Sequence, residues 1–315
     1  MKRFVVKVIC FSVALLFLGS ALDFLLCKGL LKMEDYRFQD YGAMLSGGME
    51  NDILIMGNSR GKSHFNPAII DSLSHSKSFC IGIGGYPINA QVMKYHLYRE
   101  HNRKPRLVIQ NVDYMTVNTI DDIRHQHQSE QFFPLVYDRK SRKELKKLGY
   151  GFFELNVPLY RFFGYQQVIK NGLLEILGLK HYVSRPAYKG FRAEEGAWDG
   201  AELAAMDRHK VEMSDKGKEI LESYLSACRA DSIDVVLVNS PMYVGVKGKL
   251  LGLDEARAYF EQIAAKYVCT YLDFVDDYPI SQDTSNFCVS VHMNPVATDV
   301  FTRELCDSLI KLNKL

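Results

Sequence analysis

Five short apolar runs of strand length, at 53–56, 79–83, 107–112, 235–238 and 268–272, recur along the chain with amphipathic stretches of helical period between them. Such alternation predicts parallel β-α-β units. The runs are apolar throughout rather than at every second residue, as strands covered on both faces should be. Ser214 stands where it would cap a helix burying Ile220, Leu221, Tyr224, Leu225 and Cys228. A second helix carries Ala256, Tyr259, Phe260 and Ile263. The last starts near Pro295, a favoured first-turn residue, and is expected to bury Val300, Phe301, Leu305 and Leu309. The rhythm specifies an α/β domain over about residues 50–315, with a sheet that is mainly parallel.

Two stretches depart from that rhythm. About 100 residues, at 115–212, are too long for a simple crossover and read as an insertion of helices and irregular segments. The insertion holds a basic run from Arg139 to Lys147, read as a solvated helix face. Its aromatics Phe152, Phe153, Tyr160, Phe162, Phe163 and Tyr165, with the only tryptophan, Trp198, are expected to form a small core of its own. The other departure is residues 1–30. Lys2, Arg3 and Lys7 precede an apolar run from Val8 to Cys27, and about 20 apolar residues span a bilayer as a helix. Cations ahead of the run and a large domain behind it predict one membrane pass, with the domain periplasmic or extracellular. A cleavable signal peptide is the competing reading, since Gly19-Ser20-Ala21 is an acceptable cleavage site. Either one exports the domain.

With 39 basic against 37 acidic residues, the net charge is +2. Nucleic acid is therefore not an expected partner, because binding it usually needs a concentrated basic excess. Seven cysteines show no CxxC or Cys/His spacing, so neither a metal nor a cofactor is implied, and buried free thiols are expected at Cys80, Cys228, Cys269 and Cys306.

The sharpest chemical signal is Ile53-Leu-Ile-Met-Gly57-Asn58-Ser59-Arg60, where a buried strand hands over to a polar, helix-starting segment. Ligands of open α/β sheets bind at the carboxyl ends of strands. A serine there can attack a carbonyl while backbone N–H groups receive the oxyanion; the commoner role for such a serine is helix N-cap. Three further signals fall on the same expected edge: Gly82-Ile-Gly84-Gly85 after the second strand, Gln110-Asn111-Val112-Asp113 ending the third, and His292-Met293-Asn294-Pro295 before the last helix. A Ser–His pair needs that arrangement.

The order Gly-Asn-Ser59, Gly84-Gly85, Asn111, His292-Met-Asn resembles the four sequence blocks of the SGNH/GDSL hydrolase superfamily, from about residue 50 to the end apart from the insertion. An N-terminal anchor before such a domain is similar to the D-alanine transfer and alginate O-acetylation proteins. The resemblance implies a flavodoxin-like three-layer sandwich with a five-stranded parallel sheet. It makes Ser59 the nucleophile and His292 the base. The Ser59 N–H, the N–H of Gly84 or Gly85 and the Asn111 side chain become the oxyanion hole. Asn111 departs from the pattern, since the usual Gly-x-Asn-Asp reads Gln-Asn-Val-Asp here. The implied function is an extracytoplasmic esterase or O-acyltransferase acting on an acyl ester of a cell-surface carbohydrate, held at the membrane by the N-terminal helix beside envelope polysaccharide-modification partners. A second departure is Val289, where the family usually has the aspartate that orients the histidine. Loss of that carboxylate can cost about 10⁴ in turnover. Asp273, Asp276 and Asp283 are candidates to replace it; the alternative is a catalytically silent glycan-binding or scaffold protein.

Overall fold

The computed structural model describes residues 1–181, 183–184, 187–276 and 279–315. They form two compact units, one of residues 1–45 with 121–187 and one of 46–120 with 188–315. The stretch read as one insertion is thus divided: 121–187 joins the N-terminal segment, and its flanks belong to the other unit.

The first unit is led by helix α1 (Lys2–Leu30). Its mean hydropathy of 2.3 over the most apolar window, together with its length, suffices to cross a membrane. From Asp23 onward α1 is built into the unit. Leu26, Cys27, Leu30, Met33, Phe38, Phe133, Phe162 and Val168 make a common core. A Cβ on Gly29 would lie 2.1 Å from the carbonyl oxygen of Gly172 in helix Gln166–Ile176, so glycine lets these backbones touch. The expected aromatic core is only partly realised. Phe162 is buried, but Phe152, Phe153, Tyr160 and Phe163 are 70%, 56%, 48% and 91% exposed. Trp198 belongs to the core of the other unit.

In the second unit, strands β1 (Ile53–Met56), β2 (Ser78–Cys80), β3 (Leu107–Asn111), β4 (Asp234–Asn239) and β5 (Thr270–Asp273) form one parallel sheet in the order β2-β1-β3-β4-β5. β1 lies between β2 and β3, with Ile53 opposite both Ser78 and Leu107. Around it are α2 (Ser59–Ser63), α3 (Pro67–Ser74), α4 (Ile88–His101), α5 (Asp215–Ala230), α6 (Leu253–Tyr267) and α7 (Pro295–Lys311). One face of the sheet, with Ile53, Ile55, Ile109, Val236 and Val238, packs on Ile70 of α3 and Phe301, Leu305 and Leu309 of α7. On the other, Tyr224 of α5 donates its hydroxyl to Met56 Sδ at 3.3 Å and stacks edge-on with Tyr95 of α4. This is the three-layer α/β architecture expected from the sequence.

The helix starts follow the capping rules. Ser214 accepts from Gly217 N at 2.9 Å and Asn294 from Ala297 N at 3.0 Å, with Pro295 in the first turn. Three expectations fail locally. Ile220, expected inside, is only half-buried at the edge of the α5 stripe. Val300, expected inside, is 45% exposed, because α7 turns only the Phe301, Leu305 and Leu309 stripe to the sheet. Cys269 is only half-buried, while Cys80, Cys228 and Cys306 are buried; all seven thiols are free.

Candidate active site

Gly57 ends β1 at a φ of +143°, and a Cβ there would lie 2.8 Å from the Asn111 Cβ and 2.9 Å from the Gly61 Cα. Only glycine fits, and the sharp exit it allows presents the next two residues at the carboxyl edge of the sheet. Asn58, not Ser59, is the N-cap of α2: its Oδ1 accepts from Arg60 N at 3.0 Å. The helix-cap role open to Ser59 on sequence is therefore filled by its neighbour. Asn58 is itself held by Asp113, accepting from its Nδ2 at 2.7 Å.

Ser59 and His292, 233 positions apart, meet with Oγ and Nε2 2.8 Å from each other. His292 stands in a small hairpin, where Phe287–Val289 pairs antiparallel with His292–Met293 and Val289 is the register partner of His292. The hairpin bend is held at Ser290, whose N–H and hydroxyl donate to the Glu202 carboxylate at 3.1 and 2.7 Å. The Ser290 carbonyl accepts from Tyr243 N at 3.0 Å.

The glycine block lies alongside. Ile83 N donates to the Gly57 carbonyl at 2.9 Å, carrying the β2 pairing past the end of the strand. A Cβ on Gly84 would lie 3.8 Å from the Ser59 Cβ, whereas one on Gly85, at φ +78°, would meet nothing within 4 Å. Gly84 thus stands nearer the serine. Among the described residues, the N–H groups of Ser59, Gly84 and Gly85 donate to no other protein group.

Asn111 is fully buried at the end of β3. Its Oδ1 accepts from Ser240 Oγ at 2.9 Å, and Ser240 in turn meets His64 Nδ1 at 2.9 Å. His64 Nε2 faces the backbone N–H of Met293 at 3.2 Å. A backbone N–H can only donate, so Nε2 is the acceptor and Nδ1 carries the proton. The direction of the chain follows: Met293 N–H to His64, His64 to Ser240, Ser240 to Asn111. The amide of Asn111 is thereby fixed with oxygen inward, and its buried Nδ2 has no hydrogen-bond partner. Such an orphaned donor is costly unless a ligand completes it.

Beneath the pair lies Arg60, 2% exposed. Its Nη1 is 3.5 Å from Asp113 Oδ2, and Nη2 donates to the carbonyls of Ser240 and, at 3.4 Å, Pro241. Burial, then the cations of Arg60 and of protonated His292, push the pKa of His64 well below the ordinary imidazole value. His292 is lowered too, first by burial. Glu194, Asp113 and Glu202 oppose that shift, and Arg60 adds to it. Both imidazoles are therefore neutral at pH 7.

The three aspartates offered as replacements for the missing carboxylate are engaged elsewhere. Asp273 and Asp276 receive Arg257, Asp276 also receives Lys247, and Asp283 accepts from Ser285 N. The carboxylates acting on His292 are Glu194, Asp113 and Glu202. Arg60, His64, Ser240 and Glu202 are the site residues sequence reasoning missed. His64 alone left a trace, as a polar residue five positions after Ser59 in a segment that continues into Phe65.

No protein-family model matches the chain, and no curated protein does. Among solved structures, it is similar to a protein from Bacteroides fragilis provisionally named an acylhydrolase, at 13% identity and a TM-score of 0.40, covering 86% of this chain and 93% of that one. It is also similar to an active-site mutant of a family two carbohydrate esterase from Clostridium thermocellum, determined with a cello-oligosaccharide. There the identity is 11% and the TM-score 0.41, covering 85% of this chain and 66% of that one. Likenesses this distant lend no weight to fold or activity, so what the site can do rests on its own geometry.

Proposed function

We propose that the chain is an SGNH-like serine esterase or O-acyltransferase, held at a membrane by α1 and acting on an acyl ester of a cell-surface carbohydrate. One observation carries the reading: Ser59 Oγ and His292 Nε2 stand 2.8 Å apart at the carboxyl edge of a parallel sheet. In the first step Ser59 Oγ attacks the ester carbonyl and its proton passes to His292 Nε2. Negative charge then gathers on the carbonyl oxygen, where the Ser59 and Gly84 N–H groups and Asn111 Nδ2 are the donors we assign to it. Collapse of the tetrahedral species breaks the bond to the alcohol oxygen, which leaves with the proton from His292. Water, for hydrolysis, or a sugar hydroxyl, for transfer, attacks the acyl-enzyme by the same steps in reverse and frees Ser59. The carbohydrate and the export of the domain come from the family resemblance and from the basic residues at the start of α1; the acyl chemistry comes from the site.

The test is hydrolysis of a small acetyl ester by the full chain, with labelling of Ser59 by a fluorophosphonate. Wild type is expected to turn over and to label, Ser59→Ala to do neither, and His292→Ala to lose at least about 10³-fold. Equal activity of wild type and Ser59→Ala, with no labelling, refutes the proposal. A second reading, a silent binding protein, is favoured by Val289 alone. Val289→Asp separates the two, because a carboxylate opposite His292 in the hairpin raises the rate only where chemistry occurs.

A further inference from the structure

Four exposed aromatics of the first unit, Phe152, Phe153, Tyr160 and Phe163, are close in the chain and gathered in one place. Phe152 and Phe153 lie edge to face with centroids 5.7 Å apart, and Tyr160 is 5.4 Å from Phe153. Phe163 follows in the same turn, its N–H bonded to the Tyr160 carbonyl. This knuckle is bolted to α1 at one level. Leu159 N donates to Asp23 Oδ2 at 2.6 Å, and Arg161 grips the same buried carboxylate, which Tyr137 also meets at 2.7 Å. A Cβ on Gly19 would touch Pro158 at 3.4 Å.

That level is where α1 leaves the unit. Before Asp23 the helix is exposed nearly throughout, Phe4 at 70% and Phe17 at 72%. At about 1.5 Å per residue, the stretch from Phe4 to Leu22 is about 28 Å long, close to the ~30 Å hydrocarbon core of a bilayer, with Lys7, one turn in, extending its ammonium along the helix to the headgroups. With Lys2 and Arg3 among the headgroups on one side, the other interface falls at positions 19–23, beside the knuckle. The adjoining helix Ser141–Lys147 is basic and is tied to the knuckle by Arg142, which donates to the Leu155 carbonyl and Asn156 Oδ1, both at 2.9 Å. Its Lys143, Lys146 and Lys147 are exposed.

We infer that Phe152, Phe153, Tyr160 and Phe163 are a second membrane contact, seated in the interface of the leaflet facing the folded unit, with the lysines of 141–147 toward lipid phosphates. Aromatic rings concentrate at that depth and cations just outside it. Two contacts at one interface fix the tilt and rotation of the unit about α1, which a single helix leaves free. The inference rests on α1 spanning the membrane and is independent of the chemistry at Ser59.

The test uses the full chain in vesicles of phosphatidylcholine brominated high on the acyl chains, with tryptophan as the probe. The sequence has one tryptophan, Trp198; it is retained, and its signal subtracted. Phe153→Trp and Phe163→Trp are each expected to emit at shorter wavelength than in water and to lose intensity to the lipid bromines, as is Phe11→Trp within α1. Quenching at position 11 without quenching at 153 and 163 overturns the inference alone. Loss of quenching at position 11 as well overturns it together with the membrane reading of α1. A shifted, unquenched emission at 163 that reverts when vesicles are diluted to one chain each assigns the patch to a second copy of the chain instead.

Discussion

Replacing Ser240 with alanine cuts the proton-directed chain between His64 and Asn111 at its middle. The hydroxyl lost accepts from His64 Nδ1 and donates to Asn111 Oδ1, each at 2.9 Å, and all three residues are fully buried. Two polar groups are orphaned at once, and each costs about 1–3 kcal/mol. The unit is expected to lose about 3 kcal/mol, on the order of 10²-fold in its folding equilibrium. Trp198 reports that loss locally, because it packs edge-on to Tyr243 and Phe287 within this unit, at 4.9 and 6.5 Å. Denaturant unfolding of the full chain in detergent, followed by tryptophan emission, supplies the number. Ser240→Thr keeps the hydroxyl and is expected to recover most of it. Turnover gives an independent reading. Freed from Ser240, the Asn111 amide can rotate and withdraw Nδ2, and one missing oxyanion donor costs about 10²–10³ in kcat with KM little changed. Ser240→Ala within about 0.5 kcal/mol of wild type and with unaltered kcat would refute both the polarity of the chain and the role given to Asn111.

Activity against pH should rise to a plateau whose midpoint lies below the ordinary imidazole pKa of about 6.5, since His292 must be neutral and is lowered by burial; Val289→Asp should move that midpoint upward. Stability follows His64 with the same sign. Its folded pKa is depressed, so below about pH 6.5 the unfolded chain binds the extra proton and stability falls with pH, by at most ~1.4 kcal/mol per unit. Denaturant midpoints of wild type and His64→Gln between pH 5 and 8 check this, the variant losing that component. Gly57→Ala should unfold or inactivate the second unit, because a Cβ there would lie 2.8 and 2.9 Å from Asn111 and Gly61 at a backbone angle unsuited to alanine; thermal melts read it. Asp23→Ala leaves Arg161 buried without its carboxylate, a loss of about 3–5 kcal/mol that limited proteolysis should detect at 121–187.

The sequence carried the sheet because four of its five strands are buried on both faces, the edge strand Thr270–Asp273 being half-buried to exposed, so apolarity and length alone set most of them apart from their surroundings. It carried the meeting of Ser59 and His292 and the approach of the Gly84-Gly85 block to Ser59 because a parallel sheet delivers its strand ends, and the loops beside them, to one edge, whatever the length of chain between them. What it could not carry was the polar floor of the site. Arg60, His64 and Ser240 look like surface residues, since burial of a cation or an imidazole obeys no period and depends on partners far away in the chain: Arg60 meets Ser240 across 180 positions, and His64 meets Met293 across 229. The same limit applies to the replaced carboxylate. Counting back three from His292 finds only Val289, whereas Glu202 reaches the hairpin from a short helix 88 positions earlier. Its effect is also different in kind. A carboxylate on the imidazole stabilises the cation directly, while Glu202 fixes the backbone that carries His292 and acts on the ring only as a charge at a distance. On the proposed path an imidazolium at His292 would then be supported by three carboxylates rather than one, against the opposing charge of Arg60. That balance favours a base that is easily discharged over one that is strongly basic.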